Sequence, residues 1–293
     1  MTAQTAPTPP FIAEVLGVLD VKPLDRDRFT AVTGPAAGDG RQVVEGSQVL
    51  AQAIIAVAHR FPTKSVRSAH AVFARVVLAG SPIELDIDVV SEGRSTATAV
   101  VSVTQNGKRC VTVTILTDVP TADVIRHQSS RPDVVGPAEA NPSGMPVMGD
   151  GLRFVDVLDV NSPDEVGPPE LYAWFRCGPV PGRDALAKAL LTIFTGWFGI
   201  ATTMRAHEGI GARQAHTTVS TAPMTLSVSF HEAVRWVDWL LYTHESLHAG
   251  AGMSYVRGTV HALEGALIAS FIQEALVRPM RTADTSIDVA SRM

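Results

Sequence analysis

Apolar and polar positions along the chain fall into two kinds of segment. The first is dry on every side of a helix. In Asp184–Met204 (DALAKALLTIFTGWFGIATTM) no ionisable side chain stands between Lys188 and Arg205, and Ala, Leu, Ile, Phe and Trp fill every side of a helix drawn through it. A helix that is apolar all round lies inside a protein or crosses a membrane. The uncharged run, Ala189 to Met204, is 16 residues, shorter than the roughly 20 a membrane span requires. It also holds Thr192, Thr195, Gly196 and Gly199, so the pattern predicts one helix enclosed by protein. A second dry helix is predicted in Val43–Phe61 (VVEGSQVLAQAIIAVAHRF), with Ser47 as N-cap, an apolar body from Gln48 to His59, and Pro62 ending it.

The second kind of segment alternates or is β-branched. Ser68–Val77, Ile83–Ser91, Ser95–Gln105 and Arg109–Thr117 read as strands, separated by turn residues at 79–82, 92–94 and Asn106–Gly107. Asn-Gly between two such runs is a strong hairpin signal. In IELDIDVV, starting at Ile83, apolar and acidic residues alternate, giving one dry and one wet face. The first half is therefore expected to be a helix followed by a meander of about four antiparallel strands, preceded by a short helix at Phe11–Leu19, a strand at Phe29–Val32 and a loop at Gly34–Gly40. The second half repeats this order. Phe154–Val160 and Leu171–Cys177 read as strands, the Asp184–Met204 helix follows, and Ala222–Phe230, Asp238–Glu245, Met253–His261 and Ala266–Arg278 read as strands, with a strand end, loop or bulge at His244–Gly252.

Composition shifts divide the chain into a Thr/Ala/Pro-rich and disordered N-terminus (1–10), a first domain (11–118), a linker rich in Pro, Gly, Ser and Asp (119–150), a second domain (151–280) and a tail (281–293). A sheet curled round its own apolar helix, twice, accounts for both dry helices and gives an α+β fold. The 293 residues are 46% apolar and 18% charged, with a net charge of −5, which describes a globular protein with a large core. No basic stretch points to nucleic acid or to an anionic membrane surface. The N-terminus lacks a basic start and an apolar core, so no secretory signal is expected, and a reducing cytoplasm is the default. Cys110 and Cys177 stand far apart and read as buried, inert thiols. There is no nucleophile-elbow pattern, and Gly34–Gly40 lacks the Lys-Ser/Thr ending of a phosphate-binding loop.

Five segments, GSQVLAQA (46–53), SAHAVFARV (68–76), EGRSTATAVVSVTQNGK (92–108), DWLLY (238–242) and VRGTVHALEGALIASFIQEALVR (256–278), together resemble the acyl-CoA thioesterase II family, in both halves and in the same order. The resemblance implies a double hotdog, two tandem curved antiparallel sheets each wrapped round a helix. It implies hydrolysis of the thioester of acyl-CoA, or of an acyl-carrier thioester; no cofactor is expected, and no residue spacing points to a metal. Its chemistry would be a water molecule held by an Asp on the second central helix, a Thr on the next strand and a Gln on the last strand. A carboxylate can take the proton of the water while hydroxyl and amide groups orient it.

Carried onto this chain, the Gln falls on Gln273. The Thr falls within Thr221–Thr225, with Pro223 at the ungapped position and Thr225 preferred. The Asp falls on Gly196, and no carboxylate lies between Asp184 and Glu208. Either the acid is lost and the cleft has another chemistry or only binds its ligand, or Gly196 lets a strand or the other helix pack close, or another base serves, for which Glu45, His70, His231 and Glu232 are candidates. His70, Gln48, Trp197 and Phe198 are candidate substrate-binding residues, against core or capping roles for each. His244 and His248 have metal-pair spacing for a helix, but the surrounding sequence is strand and loop. Arg257 and Arg278 read as surface arginines, with coenzyme phosphates as the alternative. Association into homo-oligomers is compatible with the sequence.

Overall fold

The computed structural model describes residues 10–34, 42–145, 148–178 and 182–280. The expectations for the N-terminus before residue 10 and for the tail, and most of the predicted Gly34–Gly40 loop, lie outside them. In chain order the elements are α1 (Pro10–Val18), β1 (Lys22–Pro23), β2 (Arg28–Ala31), α2 (Gly46–Arg60), β3 (Ser65–Phe73), β4 (Ile83–Glu92), β5 (Thr96–Gln105) and β6 (Lys108–Asp118). After a long connection come β7 (Asn141–Pro142), β8 (Leu152–Phe154), β9 (Glu170–Phe175), α3 (Asp184–Thr195), α4 (Gly199–Met204), β10 (Val219–Phe230), β11 (Leu240–Gly250), β12 (Met253–Ala262) and β13 (Leu267–Pro279).

Among the described residues all the strands belong to one 13-stranded sheet in the order β1-β2-β4-β5-β6-β3-β10-β13-β12-β11-β9-β8-β7. The order is the same in both halves when read outward from the middle. The strand after the central helix (β3 or β10) pairs with the last strand (β6 or β13), then come the two before it, then the strand that precedes the helix (β2 or β9). The halves join where β3 and β10 pair antiparallel, Ser68 opposite Ser229 through Val72 opposite Thr225. This is the double hotdog. It corrects one expectation: the first half is not a four-strand meander, because β3 leaves β4 and pairs with β6 and with the other half.

Periodicity explains the strands. Ile83, Leu85 and Ile87 are buried on β4 while the alternating Glu84 and Asp88 are exposed and Asp86 is half-buried, and Ala97, Ala99, Val101 and Val103 are buried on β5. Such alternation fits a sheet with one face on the core. Asn106 and Gly107 both have positive φ, 51° and 72°, as a two-residue hairpin turn of the mirrored type requires. On α2 every residue from Val49 to Val57 is buried, because the helix has sheet on one side and α3 on the other. Each Leu, Ile or Val fully withdrawn from water there contributes about 1.5–3 kcal/mol.

Other expectations shift. Glu45, not Ser47, is the N-cap residue of α2, and it makes no side-chain capping bond. The predicted strand at 154–160 is only the end of β8. β11 runs on through His244–Gly250 to a turn at Ala251–Gly252, with a bulge between Ser246 and His248. That bulge and the strand geometry separate the two histidines: His244 is buried and His248 exposed. The largest difference concerns Asp184–Met204, which is two helices with a break at Gly196–Phe198. By length and composition the whole segment would pass as a membrane span, but 72% of its most apolar window is buried in the protein.

Buried hydroxyls on the broken helix need no outside partner. Thr192, Thr195, Thr202 and Thr203 each donate to a carbonyl three or four residues back, at 2.7–3.2 Å, which is how threonine is tolerated in a dry helix. At the start of α3, buried Lys188 reaches the first half. It donates to the Val66 carbonyl at 2.9 Å and to Ser65 Oγ, and pairs with Asp184 at 3.0 Å. Burial lowers its pKa and the Asp184 carboxylate opposes that shift.

Candidate functional site

The break in the helix sits where the halves meet. Gly196 closes α3 with φ −85° and ψ −13°, and its amide reaches back to Ile193 O at 3.4 Å. Glycine costs about 0.5–1 kcal/mol in a helix interior, so the helix is weakest at this point. The Gly196 carbonyl, freed from the helix ladder, accepts from Gln273 Nε2 at 3.4 Å.

Gln273 lies on β13 with its side chain on the inner face, 2% exposed, and its Oε1 has no hydrogen-bond partner. It fits because residue 199 is glycine: a Cβ there would stand 1.9 Å from Gln273 Oε1. From the first half comes Ser47, the second residue of α2. It is 3% exposed, and its Oγ also has no partner. Ser47 Cβ and Oγ both lie 2.7 Å from where a Cβ on Gly196 would be. Ser47, Gly196 and Gln273 thus form the floor of a polar spot assembled from both central helices and the last strand. Gly46, Gln48, Gly196, Trp197 and Ile200 are only half-buried around it. Unpaired buried polar atoms cost roughly 1–3 kcal/mol each, so a cluster of them marks a place built for something other than stability.

The other predicted residues are distributed as follows. Gln48 does not cap its helix. Its Oε1 lies 3.1 Å from where a Cβ on Gly34 would stand, and its Nε2 is buried without a partner. Trp197 and Phe198 are part of an aromatic group with Phe154, Phe175 and Phe194, with ring centroids 5.0–6.2 Å apart, which is core packing. Thr225 is not brought to Gln273. Register places Leu226 opposite Gln273, and neighbours on a strand point to opposite faces. Thr225 therefore projects from the outer face, where it donates to Glu274 Oε2 at 2.8 Å. His70 is on the outer face too, with its Nδ1 2.6 Å from Ser227 Oγ. Of the substitute bases, His231 is held by Ser270 Oγ at 2.9 Å and Glu232 by Arg126. Glu45, immediately before α2, is the one that adjoins Ser47 in the chain.

Two residues carry more than their sequence context suggested. Ser47, read as a helix cap, is at the centre of the spot. The signal available was its place in the GSQVLAQA segment. His244, set aside with its metal-pair spacing, lies on the inner face of β11 against Phe198 and Phe271, centroids 6.1 and 5.1 Å away. Neither of its ring nitrogens has a partner, and burial pushes its pKa down to about 3, so the ring is neutral at ordinary pH. Arg257 is paired with Glu245 at 2.8 Å on the surface. Both cysteines are buried, and burial raises their pKa values. Among the described residues no group of three or more His, Cys, Asp or Glu is arranged to hold a metal ion. A cavity of about 610 Å³ lies elsewhere, lined by Ser129, Ser130 and outer-face hydroxyls such as Ser227, Thr243 and Thr259. Neither Ser47, Gly196 nor Gln273 lines it.

Comparison with known proteins places both halves. Residues 35–117 match the family model of the acyl-CoA thioesterase N-terminal domain, and residues 128–277 match that of the acyl-CoA thioesterase C-terminal domain. The chain is 28% identical over 258 residues to "Acyl-CoA thioesterase 2" of Haemophilus influenzae, covering 82% of this chain and 89% of that protein. Among solved structures it is similar to the tesB protein of Mycobacterium avium subs paratuberculosis (TM-score 0.76, 21% identity, 91% and 99% of the two chains). It is also similar to an acyl-CoA thioesterase II of Mycobacterium marinum (0.76, 22%, 91% and 98%). A third is a conserved protein with a hot dog fold from Alicyclobacillus acidocaldarius (0.72, 18%, 91% and 98%). At these identities the structural likenesses speak to the fold.

Proposed function

Because the chain belongs to the acyl-CoA thioesterase family, we propose that it is a thioester hydrolase acting on acyl-CoA where its two halves meet, with a catalytic set that lacks the helix carboxylate. The observation that carries this reading is Gln273. The residue that the resemblance assigns to water or carbonyl binding is buried, keeps an unpaired Oε1, and reaches the backbone of the very position where the acid is missing. An amide with a free acceptor, held between a strand and a helix break, suits the orientation of a water molecule against a thioester carbonyl. The first turn of α2 adjoins the same point, and a helix N-terminus favours the negative charge that develops on that oxygen.

Purified protein offered short-, medium- and long-chain acyl-CoAs should release free coenzyme thiol, followed with a thiol-reactive chromophore. Gln273→Ala should reduce that rate by at least ~10-fold. A panel left wholly intact by the wild-type protein defeats the reading. One observation favours a second reading, a protein that holds an acyl thioester without cleaving it: α3 and α4 carry no carboxylate beyond Asp184. Calorimetric binding of acyl-CoA with no turnover would select it.

A further inference from the structure

We propose that Ser47, on the helix of the first half, is a catalytic residue of this site: its hydroxyl donates to the carbonyl oxygen of the bound thioester. The inference rests on the hydrolase reading above and names the group that works in place of the missing acid.

The argument starts from the crowding at Gly196. A Cβ at that position would stand 2.7 Å from both Ser47 Cβ and Ser47 Oγ, closer than such contacts are found. A serine at 47 and any larger residue at 196 exclude one another. The space an acid at 196 would need is taken by the side chain of residue 47, so the polar group at this point is supplied by the other half of the molecule.

The second observation is independent. Ser47 is 3% exposed and its hydroxyl bonds to nothing. Serine in a helix ordinarily donates to a carbonyl one turn back, and the four threonines of α3 and α4 do so. Ser47 is the second residue of its helix, where there is no preceding helical turn to receive that bond. The hydroxyl is left beside the space a Gly196 side chain would take, and Gln273, whose Oε1 is equally unpaired, is bonded through Nε2 to the Gly196 carbonyl. One donor and one acceptor, both buried and both idle, flank the helix break, Ser47 Oγ at Gly196 and Gln273 Oε1 at Gly199. A thioester carbonyl takes the donor, and the water that attacks it takes the acceptor.

The reaction balances without a protein base. Water oxygen bonds to the carbonyl carbon, and the carbonyl π pair moves onto oxygen, where the Ser47 hydroxyl holds it. When that pair returns, the carbon–sulfur bond breaks with its electrons on sulfur. The proton lost by the water ends on sulfur, giving the free thiol and a carboxylic acid that ionises in solvent.

Ser47→Ala is sterically mild and favours the helix. It should lower kcat roughly 100-fold with little change in KM, as loss of one transition-state donor does, at an unchanged melting temperature. Ser47→Cys, close in size and a weaker donor, should fall between. Gly196→Asp alone should be less active than wild type, because its side chain meets Ser47. Ser47→Gly with Gly196→Asp should exceed either single variant, a non-additivity that marks one unit. A folded Ser47→Ala protein with wild-type kcat overturns the proposal, and so does a double variant no better than Ser47→Gly. If the wild-type protein cleaves no acyl-CoA, the hydrolase reading has failed. Calorimetry with acyl-CoA then decides for Ser47: equal affinity of wild type and Ser47→Ala removes the hydrogen bond, and a loss of ~5-fold or more keeps it.

Discussion

The two central helices begin from the same plan and end differently. α2 runs unbroken from Gly46 to Arg60, and its one deeply buried amide, Gln52, ties the helix to the loop backbone through Nε2, which donates to the Val18 and Val32 carbonyls at 2.8 and 2.7 Å, while its Oε1 has no partner. Its counterpart stops at Gly196, is reset over Gly196–Phe198 and resumes as α4. The first helix is a core element. The second is a core element interrupted by a site. Strands of the two halves match in order, so the difference arises within the helices and not from the scaffold that surrounds them.

The core under the broken helix is richer in aromatic rings than that under α2, where Phe29 and Phe73 join aliphatic side chains, and mutation can test whether that matters. Phe194 is fully buried and contacts Phe175, Trp197 and Tyr242 at 4.6–6.4 Å. Phe194→Ala should cost about 3–5 kcal/mol in denaturant unfolding and should exceed Ile54→Ala on α2. Equal costs would remove the asymmetry.

Acid provides the next largest effect. His244 is buried with a pKa near 3, while in the unfolded chain it titrates near 6.5. Between those values the unfolded state binds the extra proton, so stability falls as pH falls from about 6.5 toward 3. From pH 7 to pH 5 this group alone should remove about 2 kcal/mol. A His244→Met variant should show a flatter dependence of melting temperature on pH. A parallel profile would show that the histidine does not titrate as its burial implies.

The smallest effect on stability should come with a clear effect on activity. Gly199→Ala places a methyl against Gln273 Oε1, the movable end of a side chain. The melting temperature should change little, by about 1 kcal/mol or less in stability, while thioester cleavage drops several-fold as the amide is displaced. Unchanged cleavage would detach Gln273 from the site.

The fold was readable because its determinants are repetitive. Alternation on Ile83–Val90, Asn106–Gly107, and two dry helices each followed by strands are local signals that recur. The order of the sheet was less accessible, because the β3–β10 pairing joins residues more than 150 positions apart, and nothing local states which edge a strand takes. The site was legible by halves. Gln273 and Gly196 were found through the family-like segments and lie together. Thr225 was preferred as a residue type, and strand parity turned it to the far face. Ser47 was marked only by its place in GSQVLAQA, since what singles it out in the structure is its closeness to Gly196, a contact between elements far apart in sequence.

The outermost strands have a consequence for association. The sheet ends at β1 on one side and β7 on the other, each two residues long and each containing a proline, Pro23 and Pro142. Proline has no amide proton to offer a further strand, and a strand this short gives a newcomer little to align with. A sheet of such length would otherwise be a template for open-ended growth from chain to chain. Among the described residues, the two terminal strands are therefore poor templates for a further strand, and end-to-end extension of the sheet through them is disfavoured.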